Sequence, residues 1–385
     1  MTKDTKKIIF AISTLVGTIV GVGIFGLPYI AAQAGFWPII IYLCGGAVIV
    51  IAISLIYGAV IIGSDGKKRL PGYVKEYFGG KWSIISLLNF LFGLYGSQLA
   101  YIIIGGKFLQ GLIFPIFPIS QFAATMFFFI IGSALIYKGI KLVEKTEFFM
   151  LIFLFFIILI FFFISFGKIN PVNFSGYDMN KMFLPYGIVF FSLMGLSILP
   201  EIKEMFLKGE KTNNYSEKGK KNFQKTIIYS VLISLFIYII FIAVILGVSG
   251  KNTSIEAFSG LKNVLSDRII YIGYIFGFLS VFTSFISVGL TIEKSFIYDY
   301  GLKYKKAFIL ASIVPLALFL AGFNNFLYII SILGTITFGI DGFFLFVLYF
   351  KIKKIGRIKD AIITNYTAWL LIIMFSVGIF LALRG

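Results

Sequence analysis

Residues 17–28 read Gly17-Thr-Ile-Val-Gly21-Val-Gly23-Ile-Phe-Gly26-Leu-Pro28, four glycines and a proline inside an apolar run that spans residues 8–30. Glycine weakens a helix, and proline removes a backbone donor. Backbone broken at membrane depth persists only where protein or a water-filled cavity satisfies its polar groups. A half-helix beginning near Gly23 would turn free N–H groups and the positive end of its dipole towards an anion such as a carboxylate. The freed carbonyls of the other half suit an ammonium group or a cation. An interruption of this kind therefore fits a zwitterion, an amino acid. A second reading is that the glycines only let helices pack closely, and Gly17 and Gly21 have the spacing for that.

The rest of the chain shows that the solvent is lipid. Of 385 residues, 59% are hydrophobic and 13% charged, whereas soluble domains carry roughly 25% charge. Mean hydropathy is +1.00, and 47 residues are Phe. The chain has no His and a single cysteine, Cys44, which excludes His-dependent triads, His- or Cys-based metal centres and an intramolecular disulfide. The apolar run after Lys3, Lys6 and Lys7 continues too far for a signal peptide and reads as a retained helix.

Measured against the length of about 20 residues needed to cross a bilayer, eleven segments emerge: 8–30, 38–62, 82–110, 120–138, 146–167, 183–206, 225–248, 268–293, 306–321, 325–350 and 361–383. With the N-terminus in the cytoplasm, the inside loops hold 27 of the 34 Lys and Arg residues, as the positive-inside bias requires. The basic stretch 208–225 reads as a solvated loop over lipid headgroups, and the net charge of +18 needs no nucleic-acid partner.

The sixth segment echoes the first. Leu193-Met-Gly-Leu-Ser-Ile-Leu-Pro200 again places a glycine five residues before the proline of a Leu-Pro pair. Five helices separate the two, so they run in opposite directions, the mark of an inverted repeat. The expected organisation is one transporter domain over 1–385, with repeat one about 8–167, repeat two about 183–350 and an extra helix about 361–383.

Further polar groups fall inside spans. Ser192 and Ser197 flank Gly195 in the sixth. Glu201 follows Pro200, and two readings stand for it, an intramembrane proton carrier or an interfacial acid paired with Lys203. In the eighth, the hydroxyls of Ser280, Thr283 and Ser284 could join the carbonyls of Gly17 and Val20 in a small cation site, or could simply pack helices. Asp341, the most deeply placed acid, is a second candidate proton carrier. So few charges lie mid-span that neutral substrates are expected.

The string from Gly17 to Gly35, GTIVGVGIFGLPYIAAQAG, resembles the opening of the amino acid/auxin permease and aromatic amino acid permease families of the amino acid–polyamine–organocation superfamily. The resemblance extends to Ala100-Tyr-Ile-Ile-Ile-Gly-Gly106, to Leu199-Pro-Glu201 with Glu204-Met205, and to Thr283-Ser-Phe-Ile-Ser-Val-Gly-Leu290. It implies an all-α LeuT-type fold and a secondary amino acid transporter working by alternating access. Carried over by position, it implies substrate contacts at Val22, Gly23, Ile24, Phe191, Ser192 and Ser197, and more loosely at Tyr101. It implies a sodium-like site at Gly17, Val20, Ser280, Thr283 and Ser284. In some proton-coupled relatives a lysine of the fifth helix fills that site. Here 148–166 contain no lysine, which leans towards sodium.

The expectation is an ion-coupled symporter of neutral, hydrophobic or aromatic amino acids, with Na+ or H+ as coupling ion and no other cofactor, in the cytoplasmic membrane of a prokaryote. Its rivals are an uncoupled facilitator or exchanger, a membrane-embedded enzyme, and a non-transporting sensor on the same fold.

Overall fold

The computed structural model describes residues 3–64, 68–139, 143–207, 216–298, 301–358 and 378. Fourteen α-helices and no strand occur among them. In chain order these are α1 (Lys3–Ile19), α2 (Gly23–Ala34), α3 (Phe36–Gly63), α4 (Leu70–Phe78), α5 (Gly80–Ile113), α6 (Gln121–Tyr137), α7 (Val143–Ser165), α8 (Pro185–Leu193), α9 (Leu199–Leu207), α10 (Glu217–Ser249), α11 (Asp267–Tyr298), α12 (Tyr304–Leu320), α13 (Phe326–Ile332) and α14 (Phe338–Lys354).

The first ten expected spans coincide with these helices or with pairs of them; the eleventh, 361–383, lies outside the described residues. Six described spans are long and apolar enough to cross a bilayer, and the bent pair α1/α2 makes a seventh. α6 and α12 have 17 residues each. Large apolar side chains face outward along the bundle, with Ile41 67% and Phe163 71% exposed, as lipid contact requires.

Three features were not expected. The loop 63–81 contains the short helix α4, which starts with proline at its second position, where a missing N–H costs nothing. The basic residues Lys218, Lys220, Lys221 and Lys225 form the first turns of α10 rather than a loop. Ser216 caps that helix by accepting from the Gly219 N–H at 3.2 Å, and Lys220 pairs with Glu217 at 2.7 Å. The tenth span, finally, carries a π-helical turn over Leu333–Thr337 between α13 and α14. Such turns insert one residue and recur at functional sites.

The long helices α5 and α11 pack along one another, and α3 packs on α8, α10 and α14. α1 lies against α7 and α10, and α2 against α8 and α10, so both interrupted spans sit within the bundle. Between α2 and α3 the chain turns at Gly35 with φ 111°, a conformation side chains resist, and there it bridges to Tyr177.

Candidate functional site

The first span breaks where its glycines are. α1 ends at Ile19, α2 begins at Gly23, and their axes differ by 54°. The Gly21 N–H turns back to the Ile19 carbonyl at 2.8 Å, and the Phe25 N–H donates to the Val22 carbonyl at 3.3 Å. The N–H groups of Val22, Gly23 and Ile24 thus lead the α2 helix, where no intrahelical acceptor precedes them. The sixth span breaks at the matching place. α8 ends at Leu193, Met194 is extended, a short 3-10 turn covers Leu196–Ile198, and α9 resumes at Leu199. The two breaks touch: a β-carbon on Gly23 would lie 2.9 Å from the Ser192 Cα.

A cavity, partly open to solvent, lies beside these breaks. The first span contributes Thr18, Ile19, Gly21, Val22 and Gly23, and the sixth contributes Phe191, Met194, Leu196 and Ser197. α5 presents Phe90, Gly93, Leu94, Ser97 and Tyr101, a stripe at helical spacing. Leu333, Thr337 and Asp341 line it at four-residue intervals from the tenth span, joined by Val288, Tyr57 and, at the start of α4, Arg69 and Leu70. The walls are mostly apolar. Beyond the first break the bundle is packed shut: Phe25, fully buried, meets Phe108, Phe241, Phe258 and Phe276 at ring distances of 4.8–6.2 Å.

Of the expected substrate residues, Val22, Gly23, Tyr101, Phe191 and Ser197 line this cavity. Ile24 is fully buried behind it. The Ser192 side chain donates to the Ile188 carbonyl at 2.7 Å and supports Gly23 instead.

The expected ion residues lie outside the lining. Gly17 belongs to the end of α1 and Val20 to the break, where the Val20 N–H still donates to the Val16 carbonyl at 2.7 Å. On α11, Thr283 Oγ1 donates to the carbonyls of Leu279 and Ser280, and Ser284 Oγ to that of Ser280, at 2.9–3.1 Å. The lone pairs of these hydroxyls stay available to a cation. The Tyr101 hydroxyl lies 3.5 Å from where a Gly21 β-carbon would stand, beside the first break.

Asp341 faces the cavity and accepts from Asn89 Nδ2 at 2.8 Å; the same amide donates to the Thr337 carbonyl at 3.2 Å. Glu201 bonds to Arg69 Nη2 at 3.2 Å, while Lys203 Nζ donates to the Ile61 carbonyl. Arg69 also lies 5.9 Å from the Phe90 ring centroid. An arginine of the 63–81 loop therefore reaches the cavity, a charge the span-by-span reading missed. Asn89 was missed as well; it is one of three amides along α5, with Gln98 and Gln110, and nothing local sets it apart.

Two spans broken at mid-bundle around a common cavity define a secondary transporter of the LeuT type. Solved structures agree on the fold. MhsT in complex with L-phenylalanine superposes with a TM-score of 0.69 at 15% identity, over 97% of either chain. Mhp1 in its inward-facing conformation gives 0.67 at 14% identity, over 98% of this chain and 88% of that one. Mhp1, a nucleobase-cation-symport-1 family transporter, in a closed conformation with bromovinylhydantoin gives 0.65 at 14%, over 88% and 77%. A comparison with curated protein sequences gave no match. The sequence pattern of the tryptophan/tyrosine permease family matches residues 4–384. The protein belongs to that family; it is an integral membrane transporter, not an enzyme.

Proposed function

We propose that the protein is an ion-coupled symporter of neutral amino acids, hydrophobic or aromatic, in the cytoplasmic membrane of a prokaryote. The observation that carries this reading is the head of α2: it begins at Gly23, in contact with Ser192 at the C-terminal end of α8, beside a cavity walled by Phe90, Leu94, Tyr101, Phe191 and Leu333. The substrate carboxylate binds the N–H groups that lead α2 and its ammonium group the carbonyl end of α8. Its side chain lies against the apolar wall. The family description and the L-phenylalanine bound to MhsT favour aromatic substrates.

The coupling ion is sodium, held by Gly17, Val20, Ser280, Thr283 and Ser284, with Asp341 and Glu201 as the proton-carrying alternative. Uptake of a labelled neutral amino acid panel into proteoliposomes, under a sodium gradient and separately a proton gradient, tests both parts. Accumulation above equilibrium under the sodium gradient is expected. Accumulation only under the proton gradient moves coupling to the acids, and equilibration without accumulation under either overturns symport.

A further inference from the structure

A single side chain joins the two interruptions. Tyr238, in the middle of α10 and fully buried, places its hydroxyl 2.8 Å from the Ile19 carbonyl and 2.6 Å from the Ser192 carbonyl. Ile19 is the last residue of α1, and Ser192 is next to last in α8. Both carbonyls belong to helix C-termini, so two partial negative charges converge there. A phenol has one hydrogen to give. Shared between the two acceptors, it draws them together; the Ile19 oxygen also accepts from the Gly21 N–H at 2.8 Å, so it is the Ser192 oxygen that keeps a second lone pair. Ile19 lines the cavity, and Ser192 stands between Phe191 and Met194, which also line it. The Ser192 side chain is fixed against Gly23 on the far side of the contact.

We propose that Tyr238 is a positioning residue for substrate recognition: its hydroxyl ties the Ser192 carbonyl, the acceptor for the substrate's ammonium group, to the Ile19 carbonyl at the end of α1, and so couples the two interrupted spans as one unit. The inference rests on the reading of the cavity as an amino acid site. It assigns α10 a part in recognition although Tyr238 itself does not line the cavity.

Tyr238→Phe removes the hydroxyl and keeps the ring. Equilibrium binding of labelled L-tryptophan, and competition by the des-amino analogue indole-3-propionate, are measured on purified full-length wild type and variant, both checked for monodisperse elution. The expected result is L-tryptophan bound about tenfold more weakly by the variant, with competition by the analogue changed less than about twofold. Equal weakening of both ligands would overturn the proposal, because it marks a packing role. Unchanged binding of both would overturn it too. A wild type that binds the analogue but no amino acid would instead overturn the reading of the site itself, and this assignment with it.

Discussion

Gly23 and Ser192 are in direct contact across the two broken spans, with no room between them for one more carbon: a β-carbon at Gly23 would stand 2.9 Å from both Cα and Cβ of Ser192. Ser192 cannot yield easily, because its side chain is bonded to Ile188 and its carbonyl to Tyr238. Overpacking of a fixed contact costs about 1–3 kcal/mol, and about 1.4 kcal/mol is tenfold in affinity. Gly23→Ala is therefore expected to weaken amino acid binding by about tenfold or more, measured by equilibrium dialysis. Wild-type affinity in that variant would separate the contact from the binding site.

Asp341 contributes a carboxylate to the cavity wall and accepts from the neutral amide of Asn89. Should protons drive transport, Asp341 is the acid placed to carry them. Asp341→Asn is expected to make uptake independent of external pH while leaving the protein folded. A pH profile in this variant that matches wild type takes Asp341 out of the proton path.

Arg69 and Glu201 tie the start of α4 to α9, at the end of the cavity away from the buried phenylalanines. Two side chains that act as a pair give non-additive effects. Arg69→Ala and Glu201→Gln are expected to slow uptake to a similar extent, and the double variant to be no slower than the poorer single within about twofold. Additive losses in that double-mutant cycle would show independent roles.

Thr283 Oγ1 keeps lone pairs free while donating to its own helix. Under a sodium gradient, Thr283→Ala is expected to lose sodium-driven accumulation yet still exchange substrate. Undiminished sodium-driven accumulation in this variant would place the ion elsewhere.

The residues that break the spans were readable because their signal is local. Gly21 and Gly23 in the first span, and Gly195 in the sixth, weaken apolar helices whatever surrounds them, and α2 does begin at Gly23; Pro28 lies inside α2 and Pro200 in the first turn of α9, so neither marks a break. The residues that organise the cavity carry no such mark. Tyr238 meets Ile19 from 219 positions away, Asn89 meets Asp341 from 252, and Arg69 meets Glu201 from 132. In an apolar helix a tyrosine bound to two carbonyls looks like any other aromatic. The first turns of α10 were missed for another reason: a hydropathy ruler stops where the chain leaves the bilayer, whereas the helix continues into water to its cap at Ser216.

The central claim is that an amino acid is carried through the cavity between the two broken spans, and it is tested most directly by counterflow, which needs no driving ion. Proteoliposomes loaded with unlabelled L-tryptophan, L-tyrosine or L-phenylalanine are diluted into a trace of the same labelled amino acid. The account predicts transient accumulation of label for at least one of the three, abolished by Gly23→Trp. Counterflow that persists in Gly23→Trp would contradict the site, and its absence for every amino acid, in folded wild-type protein, would contradict the function.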